Sequence, residues 1–373
     1  MNGDERMHDD GDDYLWDHSG QVDPQVARLE RLLGAYAHPE TPRRQLVSSV
    51  APSVTALHRG NRRHLRWRAA FAAAAVLMLC AIGTRTWYQQ RLHWEAGRPW
   101  QVVSQQGEVR IDGRNAGPSA TLDTTGILET GPATVARLRA AGIGEIALGE
   151  GSRLRLVETR SGRHRIELQQ GRLWARVWAP PGQFGVGVPG ADVIDMGCEF
   201  LLDIDAHGNG ILTVRSGWVQ VDNLRREVLV PQGTRVRLNG GGAAGSPHAN
   251  DASQAFIAAL EAIDGRDGMV DPAGAEVRAL IAASRPQDAI SLLSLLQAYP
   301  RLAEGPMFER MAHLLPGVPA SRAAWEAGRI EQLNAWWAAL PYPRLKRWWM
   351  QWPDALPSRS EKIAAWLHSP PGG

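Results

Sequence analysis

Cysteine is almost absent, with two residues in 373, Cys80 and Cys198. One lies inside an apolar run and the other far downstream in a strand-like stretch. No internal disulfide is therefore expected, and each folded part must be held by its own core. No CxxC or comparable cluster occurs, so no structural zinc site is expected either. Charge of one sign is also missing: 41 Lys and Arg against 39 Asp and Glu leave a net +2, which implies no polyanionic partner such as nucleic acid. The chain has no GxSxG, HExxH or GxxxxGK[ST], so it offers no nucleophile elbow, zinc-protease helix or phosphate loop. We expect no cofactor, no metal and no enzyme activity.

One run without charge stands out. Ala69 to Thr84 reads AAFAAAAVLMLCAIGT, sixteen residues that would cover about 24 Å as a helix. Adding Trp67, Arg68, Arg85, Thr86 and Trp87 brings the length to about 31 Å, enough for a hydrocarbon core of about 30 Å. Arg68 and Arg85 can reach the interfaces, where Trp67, Trp87 and Tyr88 also fit. A transmembrane helix is expected over 67–88. Upstream stand Arg59, Arg62, Arg63, Arg66 and Arg68; downstream stand only Arg85, Arg91 and Arg98. That bias places the N-terminus in the cytoplasm and the bulk of the chain in the periplasm, as a single-pass inner-membrane protein. The run begins too far in for a cleaved signal peptide.

Residues 1–66 form a cytoplasmic arm and linker. The first thirteen are acidic and Gly-rich and read as disordered. After Tyr14, Leu15 and Trp16, a helix is expected from about Asp23, with Pro24 at its first position. Val26, Leu29 and Leu33 fall on one face of it, at the spacing used by helices that dock in a partner's groove. These six residues are the candidate cytoplasmic contact; the alternative is a loosely structured tail.

Between Trp100 and Leu238, short alternating segments recur every eight to twelve residues, separated by Gly-containing turns. Strands are predicted at Glu108–Ile111, Thr134–Leu138, Glu145–Leu148, Arg153–Leu156, Arg165–Leu168 and Arg172–Val177. More follow at Asp192–Ile194, Phe200–Leu202, Ile211–Val214, Trp218–Val221, Val228–Val230 and Arg235–Leu238. That spacing predicts an all-β sandwich, barrel or solenoid. Asp192, Asp195, Glu199, Asp203 and Asp205 form an acidic series with no calcium-loop spacing, so they read as solvated strand-edge carboxylates. His164 is expected exposed beside Ser161-Gly162, and His207 in a hairpin turn with Gly208-Asn209-Gly210.

The succession GRLWARV (171–177), then GADVIDMGCEF (190–200), then LTVRSGWVQV (212–221) resembles the FecR-type domain, over about a hundred residues. Gly171, Gly190, Val193, Gly197, Phe200, Val214, Gly217 and Val219 carry the resemblance. Cys198 stands where that family usually has Thr, which keeps the shape but forgoes a hydroxyl hydrogen bond. The resemblance implies transmembrane signalling. Its β domain, placed at 100–238, would receive a periplasmic signal from a periplasmic or outer-membrane protein. Its cytoplasmic segment would hold an extracytoplasmic-function sigma factor, in the manner of an anti-sigma factor. The alternative is a membrane-anchored envelope-binding module for a glycan or protein.

After a Gly-rich linker the period becomes helical, and a Trp-rich all-α helical-hairpin region is expected over 252–368. Helices are predicted at Ala252–Ile263, Pro272–Ala283, Pro286–Tyr299, Pro306–Leu314, Ser321–Ala327, Ile330–Leu340, Arg344–Trp352 and Glu361–Leu367. Trp325, Trp336, Trp337, Trp348, Trp349, Trp352 and Trp366 are expected to fill gaps between these short helices, the alternative being an exposed face that binds a peptide or glycan.

Overall fold

The computed structural model describes residues 62–342, apart from 224, 225, 242, 243 and 267, together with 367 and 368. Tyr14, Leu15, Trp16, Val26, Leu29 and Leu33 lie outside the described residues, as do the helix expected at 344–352 and nearly all of the one at 361–367. The chain divides into two compact units, 1–72 and 73–373.

An α-helix, α1, runs from Arg62 to Leu92. Its Ala, Leu and Met residues are strong helix formers, and no proline interrupts it. It contains the uncharged run, but among the described residues no helix is long and apolar enough to cross a membrane. The expected span, 67–88, is described at the side-chain level only from Ala73 onward.

Seventeen strands follow among the described residues. The first nine are β1 (Trp100–Gln106), β2 (Val109–Ile111), β3 (Arg114–Ala116), β4 (Thr121–Leu122), β5 (Ile127–Thr130), β6 (Val135–Ala140), β7 (Gly144–Leu148), β8 (Arg153–Arg160) and β9 (Arg163–Val177). The rest are β10 (Phe184–Val188), β11 (Ala191–Asp195), β12 (Glu199–Ile204), β13 (Gly210–Ser216), β14 (Trp218–Asp222), β15 (Glu227–Pro231), β16 (Thr234–Leu238) and β17 (His248–Ala249). Sheet A has the order β4-β1-β6-β7-β9-β12-β13-β16-β17. Sheet B has the order β3-β2-β5-β8-β9-β10-β11-β14-β15. Every pairing is antiparallel except that of β9 with β10. Alternate residues of both sheets meet in one core that includes Leu154, Ile166, Leu173, Phe200, Val214 and Val219. Two sheets closing on a shared core make this a sandwich.

The sequence pattern predicted two strands, 165–168 and 172–177, with a reversal or bulge at Gly171. The structure has one strand of fifteen residues instead. Its first half pairs with β8 and β10 in sheet B, and its second half with β7 and β12 in sheet A. Gly171 marks the passage, at φ +100. Ser152 fastens it: its Oγ donates to the Gly149 carbonyl (2.8 Å) and accepts from the Arg172 N–H (3.0 Å). A Cβ on Gly171 would lie 2.3 Å from the Ser152 Cα.

The helical region holds α2 (Gln254–Asp264), α3 (Ala275–Ala283), α4 (Ala289–Ala298), α5 (Pro306–Leu314), α6 (Arg322–Glu326) and α7 (Ile330–Ala339). The helix expected over Pro286–Tyr299 opens with a 3-10 turn, Pro286–Asp288, in which the Asp288 carboxylate accepts from the Arg285 N–H. Trp336 is fully buried and stacks between Phe308 (5.1 Å) and Trp325 (5.2 Å). Trp325 and Trp337 are partly buried against the same core, whereas Trp348, Trp349, Trp352 and Trp366 lie outside the described residues. The helices dock on the sandwich through Asp264, which accepts from the Ser246 N–H (2.6 Å) and hydroxyl (2.9 Å). Trp218 of β14 adds ring contacts to Trp337 (6.3 Å) and Tyr342 (6.2 Å).

The crossing yields a paired prediction. Gly171→Ala combines a left-handed φ with a collision against Ser152 and should cost about 3 kcal/mol or more. Gly151→Ala, at φ +61 with nothing within 4 Å of its added Cβ, should cost about 1 kcal/mol. Thermal unfolding of the two variants beside the parent chain reads the difference.

Candidate functional site

α1 ends at Leu92, and the next residues, 93–99, form a collar laid along the β8–β9 hairpin. The Ser161 N–H donates to the Trp94 carbonyl (2.8 Å), and the Gly97 N–H donates to the Thr159 carbonyl (2.9 Å). The Arg98 guanidinium sits 4.5 Å from the centre of the Trp94 ring, whose indole N–H donates back to the Arg98 carbonyl (3.2 Å). Leu92 and Trp94 pack against the sandwich core. These contacts attach the end of the helix to the hairpin rather than leaving it on a free tether.

Trp100 opens β1 immediately after the collar and is fully buried. Its indole N–H donates to Thr159 Oγ1 (2.9 Å), which lies 2.9 Å from His164 Nδ1. His164, expected at the surface, is fully buried. It stands two residues before the inward-facing Ile166 and directly opposite Thr159, so the pleat aims it into the core. Burial, together with the charge of Arg165 and against that of Glu158, pushes its pKa down to about 4. Its backbone N–H donates to the Gln183 carbonyl (2.7 Å), tying β9 to the start of β10.

On the outward face of sheet B, beside this hairpin, lies a groove of about 540 Å³. Its outline comes from a missing set of side chains. The outward positions of β10 are Gly185 and Gly187, because Phe184, Val186 and Val188 of the same strand point into the core. Arg155, Arg163 and Arg165 line one side, with Asp192 and Ile194 across from them. Arg163 pairs with Glu158 (2.7 Å), and Arg155 pairs with Glu167. A second hollow of about 460 Å³ shares Val188 and Asp192 with the first and reaches Asp222.

Of the acidic series read as solvated strand-edge carboxylates, Asp192 and Asp205 are exposed and Asp203 is half-buried, but the other two are not. Asp195 is fully buried and Glu199 nearly so. Asp195 follows the inward-facing Val193 by two, so the pleat carries it inside. It accepts from the Gly197 N–H (3.0 Å) and from the Cys198 thiol, and burial raises its pKa to about 7 against those hydrogen bonds. Burial and the Asp195 charge likewise push the Cys198 thiol well above its usual range. The hydrogen bond expected to be forgone at Cys198 is thus made by its sulfur. Glu199 accepts from the Trp174 indole (3.2 Å) and pairs with Arg215 (3.2 Å); Asp203 pairs with Arg172 (3.0 Å). Asp205 accepts from the N–H groups of His207 (2.8 Å) and Asn209 (2.9 Å) across the turn between β12 and β13. Among the described residues no group of three or more His, Cys, Asp or Glu is placed to hold a metal ion.

The eight motif residues do structural work. Gly171, Gly190, Gly197 and Gly217 all sit at positive φ, and Val193, Phe200, Val214 and Val219 are fully buried. They shape the sandwich without lining the groove, apart from Gly190 at the edge of the second hollow. The groove residues went unremarked in the sequence, although the alternation FGVGV (184–188) carried the signal: a strand with one face left bare.

No family model matches the chain, and no curated protein resembles it closely enough to count as a relative. Among solved structures, two crystal structures of a putative anti-sigma factor from Parabacteroides distasonis ATCC 8503 are similar to part of it. Each is 18% identical with a TM-score of 0.30, over 36% of this chain and 63% or 62% of the other. The chain thus spans less than two thirds of the length of the structures it matches.

The two buried titratable groups should give opposite pH responses. His164 binds its proton at about pH 4 in the fold and at its ordinary 6.5 when unfolded, so the native state holds fewer protons between those values. Stability should fall as pH drops through that window, and His164→Gln should flatten the slope. Asp195 binds its proton up to about pH 7 in the fold but only to 3.8 otherwise, so its contribution declines as pH rises from 3.8 to 7. Asp195→Asn should remove that decline. Urea midpoints measured across pH separate the two.

Proposed function

We propose that the chain is a single-pass inner-membrane signalling protein of FecR type. It acts by contact rather than catalysis, relaying a periplasmic signal to a sigma factor held by its cytoplasmic arm. The observation that carries this reading is the junction between α1 and the sandwich. Val76, Leu77, Met78, Leu79 and Ile82 are each more than half exposed, and they point to all sides of the helix. Only the uncharged segment of α1, between its flanking arginines, is apolar all round; such a segment favours an apolar surrounding, and in this reading lipid supplies it with the arginines at the interfaces. The polar groups nearby are already satisfied: the Thr84 and Thr86 hydroxyls donate to the carbonyls of Cys80 and Ile82 (2.8 Å each). Eight residues beyond Leu92, at Trp100, the chain is inside the core of the β domain, with the collar hydrogen-bonded to β8–β9 on the way. A change in that hairpin therefore meets the helix without an intervening flexible linker.

The sigma-factor role rests on the motif resemblance and on the apolar stripe Val26, Leu29 and Leu33 in the arm. Periplasmic placement of the β domain follows from the arginine bias across the helix. In this reading a protein partner outside the membrane acts on the sandwich, and the arm answers inside.

Two measurements test it. Cys80 is exposed on α1 and Cys198 is buried, so one thiol reports on the helix. In intact membranes Cys80 should resist a charged thiol reagent and react once detergent replaces the bilayer; ready labelling in membranes would remove the transmembrane assignment. Full-length protein should also co-purify with a sigma factor, and Leu29→Asp/Leu33→Asp should lose it. Recovery that is equal in both, or absent from both, would leave an anchored envelope-binding module as the better description.

A further inference from the structure

We propose that the groove on sheet B binds a monoanionic amphipathic ligand, its carboxylate held by Arg165 and its apolar body lying along Gly187. This site stands whether or not the arm engages a sigma factor. Arg165 differs from the two other arginines that line the groove. Arg155 and Arg163 are each paired with a carboxylate, at Glu167 and Glu158. Arg165 has none within 4.0 Å among the described residues. Its guanidinium is nevertheless fixed: Nη1 donates to the carbonyls of His164 (2.9 Å) and Gln183 (3.0 Å), and Nη2 donates to that of Gly182 (3.0 Å).

A guanidinium carries five N–H donors, so three bonds leave Nε–H and one Nη2 proton for a ligand. It also lies flat against the bare strand, since a Cβ on Gly185 would come within 3.1 Å of its Nε. A half-buried cation, oriented in advance by carbonyls and drawing only longer-range attraction from Asp192 and Glu158, can give a carboxylate short charge-assisted hydrogen bonds.

The remaining lining limits the ligand. Val157, Val188, Pro189 and Ile194 offer apolar surface, and the volume suits a small molecule or a few peptide residues. Asp192, whose carboxylate oxygen lies 3.6 Å from a Cβ placed on Gly187, bounds the groove opposite Arg165, and Asp222 of the second hollow faces it across β11 and β14. Their like charges repel a second anion, so the ligand carries negative charge at one end only. The acid could be a free amphipathic molecule or the C-terminal carboxylate of a peptide.

Calorimetric titration of the detergent-solubilised full chain tests the site with two probes, octanoate and the peptide acetyl-Val-Val-Leu bearing a free C-terminus. Each is compared with its own amide. Saturable binding is expected for at least one acid, about tenfold weaker for its amide, since a charge-assisted bond is lost. Preference for octanoate would identify a free acid as the source, and preference for the peptide a protein terminus. Arg165→Lys should weaken binding. That change also disturbs three carbonyls, so Gly187→Leu is the second variant. Gly187 has an ordinary φ, and a Cβ there meets nothing closer than 3.6 Å, so the fold tolerates the change while the groove is filled. Gly187→Leu should abolish binding with the unfolding temperature unchanged. No saturable binding by either acid, equal binding of acid and amide, or full binding by Gly187→Leu would overturn the proposal.

Discussion

The long strand β9 is shared by both sheets, and the rest of the sandwich is arranged around that fact. Four strands flank it on each side in sheet A, and four on each side in sheet B. Its continuity depends on one residue without a side chain, Gly171, lying against the backbone and hydroxyl of Ser152. In sheet B it also sets the one parallel contact, with β10, since β10 must begin level with His164 to place Gly185 beside Arg165. The groove, the buried histidine and the collar beneath α1 are all consequences of where β9 runs.

Within the β domain, two networks of polar groups that break the ordinary inside–outside pattern lie near this strand. Trp100, Thr159 and His164 form a buried chain of hydrogen bonds where the helix enters the domain, and Asp195 with Cys198 forms another at the turn between β11 and β12. Buried polar groups are tolerated when their partners are fixed in place, and such networks favour one arrangement of the core over its alternatives. At the first site the favoured arrangement is the angle at which the collar meets the hairpin. At the second it is the turn that sends the chain from one sheet to the other.

Much of the fold was legible in the sequence because its signals are local. Period-two alternation located most of the strands, and capping residues and prolines located the helices, with Pro306–Leu314 matching at both ends. The departures have separate causes. Periodicity tells which face a residue takes but not how strands are joined. The glycine in Gln169-Gln170-Gly171 therefore read as a reversal or a bulge, and periodicity alone did not show that one strand passes through it from sheet to sheet. His164 and Asp195 were misplaced because their residue types outweighed their phase: each lies two positions from a buried hydrophobic residue on the same strand. The groove escaped notice because it consists of absent side chains, and Arg165 is oriented by carbonyls of the loop before β10 together with that of His164. The motif that resembles a known family located turns and core. Such residues conserve a shape, and a shape can carry many recognition surfaces.

A strand that completes both sheets also sets the order in which the domain can be assembled. The segments before β9 leave β7 and β8 with open backbone edges, and those after it leave β10 and β12 in the same condition. These are central strands, and each is paired on that edge only when β9 is in place. Neither half can close by itself, so the domain should behave as one cooperative unit with no stable fragment. Its contacts join residues far apart along the chain, which makes folding slow and leaves the first half vulnerable to pairing with other chains until β9 is available.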